Sequence, residues 1–190
     1  MAKNIGYDFD GVLHTNVGPA DAYGQRGTNR SGPYTPFNEI INQIELEIIL
    51  GHQVYIVTAR HDSSANLKII QDHLDAHLKN YAHNVPIHFT NNQNKKHVIH
   101  NLKINIFYDD SHLRIRELYT ATKQNELPDL LELYLVKPES RTWTLINELN
   151  IQIECGIQTD DRFAAILHRQ WSEGIAKLPV SSFIIIKTYC

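Results

Sequence analysis

The chain has 190 residues, 42% of them hydrophobic, with a formal net charge of −3 and a sequence pI near 6.4. That length supports one domain with a substantial core, and the weakly acidic balance argues against the basic field of a dedicated nucleic-acid binder. No apolar run is long enough to span a bilayer, the N-terminus lacks a signal-peptide core, and two cysteines, Cys155 and Cys190, are too few for a disulfide scaffold and point to a reducing, cytoplasmic setting.

In chain order, the apolar stretch Ile5-Gly6-Tyr7 predicts a first strand over about 3–9, running into Asp8-Phe9-Asp10-Gly11-Val12-Leu13. The segment from His14 to Thr35 is rich in Gly, Pro, Asn and Ser without helical periodicity, so it reads as a loop or flap. Phe37, Ile40, Ile41, Ile44 and Ile48 then recur at helical spacing, with Thr35 and Pro36 as a start and Gly51 as a stop. A strand is predicted near 53–58, and a helix near 63–82 with Leu67, Ile70, Leu74, Leu78 and Tyr81 on one face. A strand near 86–90, a short helix, a strand near 104–108, a helix near 112–123 and a strand near 131–136 continue the alternation. This rhythm predicts an α/β fold with a Rossmann-like, doubly wound parallel sheet. Residues 1–136 form the expected catalytic core, with the flap at 14–35, and 137–190 an α/β extension packed on it. Within the extension, Arg141–Asn150 and Asp160–Glu173 read as helices and Phe183-Ile184-Ile185-Ile186 as a strand. A chain stopping so soon after that strand reads as a fragment of something longer.

Chemistry-bearing residues recur where these elements meet. Asp8 and Asp10 close the first strand. They are spaced so that one acid can attack or bind a metal while the other handles a proton. Gly11 lets the backbone turn and approach an anionic ligand. Val54-Tyr55-Ile56-Val57 ends in Thr58-Ala59-Arg60, Lys95 and Lys96 stand ahead of Val98, Ile99 and Leu102, and Ile104-Asn105-Ile106-Phe107-Tyr108 ends in Asp109-Asp110. In open parallel sheets ligands bind outside the carboxyl ends of the strands, so acid, hydroxyl, lysine and acid can share one crevice. A phosphomonoester suits such a set: its dianion repels an attacking carboxylate, and a cation such as Mg²⁺, held by one or two carboxylates and the phosphate itself, relieves the repulsion.

These four motifs, over roughly residues 3–112, resemble the haloacid dehalogenase (HAD) superfamily of phosphohydrolases. The resemblance implies that Asp8 is a nucleophile and metal ligand. Asp10 becomes the general acid and then the base, with its backbone carbonyl on the metal. Thr58 and the Ala59 N–H hold phosphoryl oxygens, and a lysine offsets the transferring charge. Lys95 matches the family's offset and its neighbour Lys96 is the alternative. Asp110 aligns with the direct Mg²⁺ ligand and Asp109 with its supporting acid. Either acid could instead cap the segment from His112.

Only a short stretch separates Lys95 from Asp109, and the first insertion reads as a flap, so no cap domain closes the crevice. That is similar to the capless branch of the superfamily, which includes protein and polynucleotide phosphatases, and to HAD-type phosphotyrosine phosphatase effectors that intracellular bacteria deliver into host cytosol. The expected partner is a phosphorylated macromolecule, a protein carrying phosphotyrosine, with no stable nucleic-acid complex. A nucleotide or polynucleotide phosphatase, or a retired HAD domain that only binds a partner, are the alternatives. Asp10 speaks against retirement. Other constellations read as structural. His73 and His77 are spaced i, i+4 without a third ligand and read as surface histidines, and Cys155 with Arg162 has the wrong spacing for a thiol phosphatase loop and reads as a small buried or half-buried residue. Tyr23, Tyr34, Arg26 and Arg30 in the flap could meet an aromatic phosphate, but read as ordinary loop surface.

Overall fold

A computed structural model describes residues 2–15, 17–20, 26–28 and 34–155. The helix expected at 160–173, the strand at 183–186, Arg162, Cys190 and the side chains of Tyr23, Arg26 and Arg30 lie outside the described residues. In chain order the elements are β1 (Asn4–Tyr7), β2 (Val17–Ala20), β3 (Arg26–Thr28), α1 (Asn38–Ile49), β4 (Gln53–Thr58), α2 (Ser64–Leu78), a 3₁₀ turn (Lys79–Asn84), β5 (Ile87–Phe89), α3 (Lys96–Asn101), β6 (Ile106–Asp109), α4 (His112–Lys123), β7 (Glu132–Lys137), β8 (Thr142–Leu145) and α5 (Ile151–Cys155).

Six strands form one sheet in the order β5-β4-β1-β6-β7-β8. β1 lies parallel to β4 on one side and to β6 on the other, in the registers Asn4↔Gln53 and Ile5↔Ile106. β4 and β5 extend the sheet one way and β6 and β7 the other, so β1 sits where the strand order reverses. That is the place where open α/β sheets leave a crevice. β2 and β3 pair antiparallel within the segment expected as a flap.

α1 buries Ile40, Ile41 and Ile44, as its spacing demands, and also Glu47. It stops because Gly51 takes φ +81°, with its N–H donating to the Ile48 carbonyl and the His52 N–H to the Glu47 carbonyl. This is the reciprocal pair of bonds that a glycine just past a helix end permits. On the sheet, Tyr7, Tyr108 and Tyr134 occupy register-matched positions on β1, β6 and β7 and stack in parallel, with ring centroids 4.5 and 4.6 Å apart. The Tyr7 hydroxyl donates to Glu47 Oε2 at 2.6 Å, which gives the buried carboxylate a partner.

The structure departs from the sequence expectations in several places. Residues 141–150 do not form a helix: Arg141 takes φ +53° and reverses the chain, and Thr142–Leu145 becomes β8, antiparallel to β7. Trp143 and its flanking threonines suit a pleated edge, whereas Leu145 and Ile146 beside Trp143 imitate helical spacing. The sheet is therefore parallel except at this edge. The compact unit runs through Cys155, so β8 and α5 belong with the sheet rather than with an extension starting at 137. α2 ends at Leu78 and tightens into the 3₁₀ turn, and Leu67 is exposed instead of facing the core.

Candidate active site

β1 delivers Asp8 to the C-terminal edge of the sheet, where its N–H donates to the Tyr108 carbonyl at 2.9 Å. Asp8 Oδ1 accepts from the Phe9 N–H, and Oδ2 lies 2.9 Å from Lys95 Nζ. Lys95, just ahead of α3, is 1% exposed and reaches Asp109 Oδ2 at 2.7 Å as well. The other oxygen of Asp109 accepts from the Ser111 N–H, while the Ser111 hydroxyl caps α4 by accepting from the Arg114 N–H. Capping thus falls to Ser111 rather than to Asp109 or Asp110. Carboxylate oxygens of Asp8, Asp109 and Asp110 come within 4.8 Å of one another.

The charges in this group are unbalanced, with three carboxylates against one ammonium. Burial is the main cause that raises the Asp8 carboxyl, to about 7, with Lys95 opposing it and Asp109 and Asp10 reinforcing it. For Lys95, burial alone would favour the neutral amine, but Asp109 and Asp8 outweigh it and keep the ammonium above its ordinary range.

Asp10 turns to a different cation. Arg60, completely buried, donates from Nε to Asp10 Oδ2 at 2.9 Å and from Nη2 to Oδ1 at 2.6 Å, and His14 Nε2 lies 3.2 Å from Oδ1. Burial opposes ionisation of Asp10, yet the bonds from Arg60 and His14 hold its carboxyl well below the usual carboxylate range. The guanidinium carbon lies 4.9 Å from the Phe9 ring centroid and 5.5 Å from that of Tyr34, whose hydroxyl accepts from Arg60 Nη2 at 3.2 Å.

Thr58 is completely buried at the end of β4, its hydroxyl accepting from the Arg60 N–H at 3.3 Å. Ala59 follows, half-buried, in a bend that accepts the N–H groups of Asn91 and Asn92 at Arg60 and Ala59. Asn91 and Asn92 both take positive φ, which folds the loop after β5 against the loop after β4.

Three assignments change. Lys96 does not face the cluster: α3 turns its Nζ outward to Glu126 Oε2 at 2.6 Å, because neighbouring residues on a helix point in different directions. Gly11 does take positive φ, at +77°, but the space a Cβ would fill is occupied by Asp110, whose Oδ2 would be 2.2 Å away. Gly11 therefore makes room for a carboxylate of the protein rather than for an anionic ligand. His73 is likewise buried, not a surface histidine, with Nε2 3.2 Å from the Leu13 carbonyl. Cys155 is buried as expected, and burial pushes its thiol up to about 12.

The sequence reading gave Arg60, His14 and Glu47 no role at the site or in the core, and it set Tyr34 aside as loop surface where the structure has it half-buried against Arg60. Arg60 carried a usable signal, since a cation two residues past Thr58 at a buried strand end needs an acidic partner. His14, four residues after Asp10, carried a weaker one.

No family model matches the chain, and no solved structure matches it. It is similar to an uncharacterized protein of Acanthamoeba polyphaga mimivirus, 44% identical over 158 residues that make up 82% of this chain. The chain spans 32% of that relative's length. Among the described residues, no helix is long and apolar enough to cross a membrane.

Proposed function

We propose that the chain is a Mg²⁺-dependent phosphomonoester hydrolase of the haloacid dehalogenase type, acting through an aspartyl-phosphate on Asp8. The observation that carries this reading is the bridge Asp8–Lys95–Asp109 at the C-terminal edge of the central strand, with Asp110 beside it. The donor set fits a hard divalent cation: it is all oxygen, offers no sulfur or imidazole, and has negative charge in excess of Lys95. Asp8, Asp110 and Asp109 would hold the ion, which when bound would neutralise charge on the phosphoryl oxygens.

Asp8 attacks phosphorus and the bond to the leaving oxygen breaks, its electron pair departing with that oxygen. Thr58 and the Ala59 N–H hold phosphoryl oxygens, and Lys95 offsets the transferring charge. Water then attacks phosphorus, Asp10 takes the water's proton, and Asp8 is released with inorganic phosphate. The clamp of Arg60 and His14 keeps Asp10 ionised, so its carboxylate is available to accept the water's proton and is disfavoured as the general acid that the resemblance implies. It also bears on the substrate. A leaving oxygen that receives little protonation departs best as a phenolate, whose conjugate acid has a pKa of about 10, rather than as a more basic alkoxide. With only α3 between Lys95 and Asp109 and no cap there, a phosphotyrosine displayed on a protein is the substrate this crevice suits.

A panel of phosphotyrosine, phosphoserine and phosphothreonine peptides, nucleotides and 3′-phosphorylated oligonucleotides, with Mg²⁺ and with EDTA, tests the reading. We expect Mg²⁺-dependent release of phosphate, fastest from the phosphotyrosine peptide. A nucleotide or oligonucleotide as best substrate would overturn the tyrosine preference, and no hydrolysis of any member would overturn the phosphatase reading itself.

A further inference from the structure

Asp8 and Asp10 are two residues apart, yet each is bound by its own buried cation, Lys95 at 2.9 Å and Arg60 at 2.6 Å. Asp10 contributes no carboxylate to the group formed by Asp8, Asp109 and Asp110. Something must keep it apart, since a short acidic side chain beside a glycine turn has little to fix its torsions. Arg60 does so through two parallel bonds, one to each oxygen, a geometry that sets both the position and the plane of a carboxylate.

The arginine is itself fixed from three sides. Its N–H is tied to the Thr58 hydroxyl, its guanidinium lies by the Phe9 ring, and Nη2 donates to Tyr34. Tyr34 stands at one root of the insert and His14 at the other. The two roots are zipped by the Thr15 N–H to the Thr35 carbonyl and the Phe37 N–H to the Leu13 carbonyl, both at 2.9 Å. Asp10 is thereby held by groups from the phosphate-binding bend and from both roots of the insert.

We infer that Arg60, anchored by Tyr34, is the positioning residue that aims the Asp10 carboxylate at the water of the second half-reaction. The inference rests on the phosphatase reading above and adds a residue to it. Arg60 does not touch the phosphoryl group in this scheme. It fixes the base that takes the water's proton, so its loss should slow release of the phosphate from Asp8 and leave formation of the aspartyl-phosphate untouched.

The test is pre-steady-state hydrolysis of p-nitrophenyl phosphate by Arg60→Lys, which keeps the charge and loses the fork. We expect a burst of p-nitrophenolate equivalent to the enzyme, followed by turnover slowed by about 10²-fold, the cost of a displacement of roughly 1 Å at a reacting group. Asp10→Asn should burst in the same way, and the double variant should be no slower than Asp10→Asn alone. Tyr34→Phe, which removes one bond to Arg60 at a half-buried site, should retain the fold and slow the second phase several-fold. A loss confined to KM, the absence of a burst, or multiplicative losses in the double variant would overturn the assignment. Crystal structures of wild type and Arg60→Lys give a readout independent of turnover. A reoriented Asp10 carboxylate supports the role, and an unmoved one overturns it even if the wild type hydrolyses nothing and the phosphatase reading has failed separately.

Discussion

Lys95 and Lys96 are adjacent in the chain and opposite in placement: Lys95 Nζ is buried 2.7 Å from Asp109, and Lys96 Nζ sits at the surface 2.6 Å from Glu126. Their replacements should separate cleanly. Lys95→Gln strands the carboxylates of Asp8 and Asp109 in a buried site, and breaking such a pair costs about 3–5 kcal/mol. Lys96→Gln removes an exposed pair of the kind worth about 0–1 kcal/mol. Thermal denaturation of both variants, alongside phosphatase assays, checks this. Loss of turnover in Lys96→Gln would return that lysine to the site.

Asp8→Asn should abolish turnover, because an amide is a poor nucleophile and a weaker ligand, while the isosteric change preserves the fold. Metal affinity should also depend on pH. Burial, against the opposing Lys95, raises the Asp8 carboxyl to about 7, so below that pH the ion must displace a proton. Mg²⁺ affinity should climb up to about pH 7 and then level off, with proton release on binding, as calorimetry in two buffers would measure. In metal-free protein the raised carboxyl stabilises the fold fully below the ordinary 3.8, and this contribution is lost as pH rises through about 7. Mg²⁺ should therefore raise Tm more at pH 8 than at pH 5. An affinity independent of pH would remove Asp8 from the ligand set.

Gly11→Ala should damage metal binding more than folding. The new methyl would stand 2.2 Å from Asp110 Oδ2, so the carboxylate must move, and φ +77° costs a non-glycine residue about 1–2 kcal/mol. We expect a modest fall in Tm in EDTA and at least a tenfold fall in Mg²⁺ affinity. An unchanged affinity would mean that Asp110 is not a ligand.

Glu47 lies away from the cluster, and burial raises its carboxyl above the ordinary 4.5 despite the bonds from Tyr7 and Gln43. A carboxyl raised on folding adds stability at low pH that disappears as pH rises through its folded value. Glu47→Gln should therefore gain Tm relative to wild type at pH 8 and gain less, or lose, at pH 4. Equal shifts at both pH values would show that Glu47 does not titrate on folding.

The site acids were legible because each closes an apolar strand, and the strand period and the turn residues are local signals. Lys95 needed more, since sequence alone cannot say which of two adjacent lysines a helix start turns inward. Arg60 carried a local signal as a cation at a buried strand end, but its partner Asp10 comes from another strand, and no local pattern names a pairing across the sheet. The edge at β8 was misread because Trp143, Leu145 and Ile146 fit helical spacing, while the turn at Arg141 depends on a positive φ that a non-glycine residue does not advertise.

The central position of β1 has a consequence for how the protein is made. The strand bearing Asp8 is made before its neighbours, residues 53–56 and 106–108, which are synthesised much later. Parallel pairing over such separations closes large loops before any contact repays the entropy, which slows folding and prolongs exposure of unpaired strand edges. A nascent chain halted before β6 holds Asp8 and Lys95 without Asp109, so it has neither a finished sheet nor a neutralised lysine. The bridge Asp8–Lys95–Asp109 is therefore completed late and all at once, when β6 docks against β1.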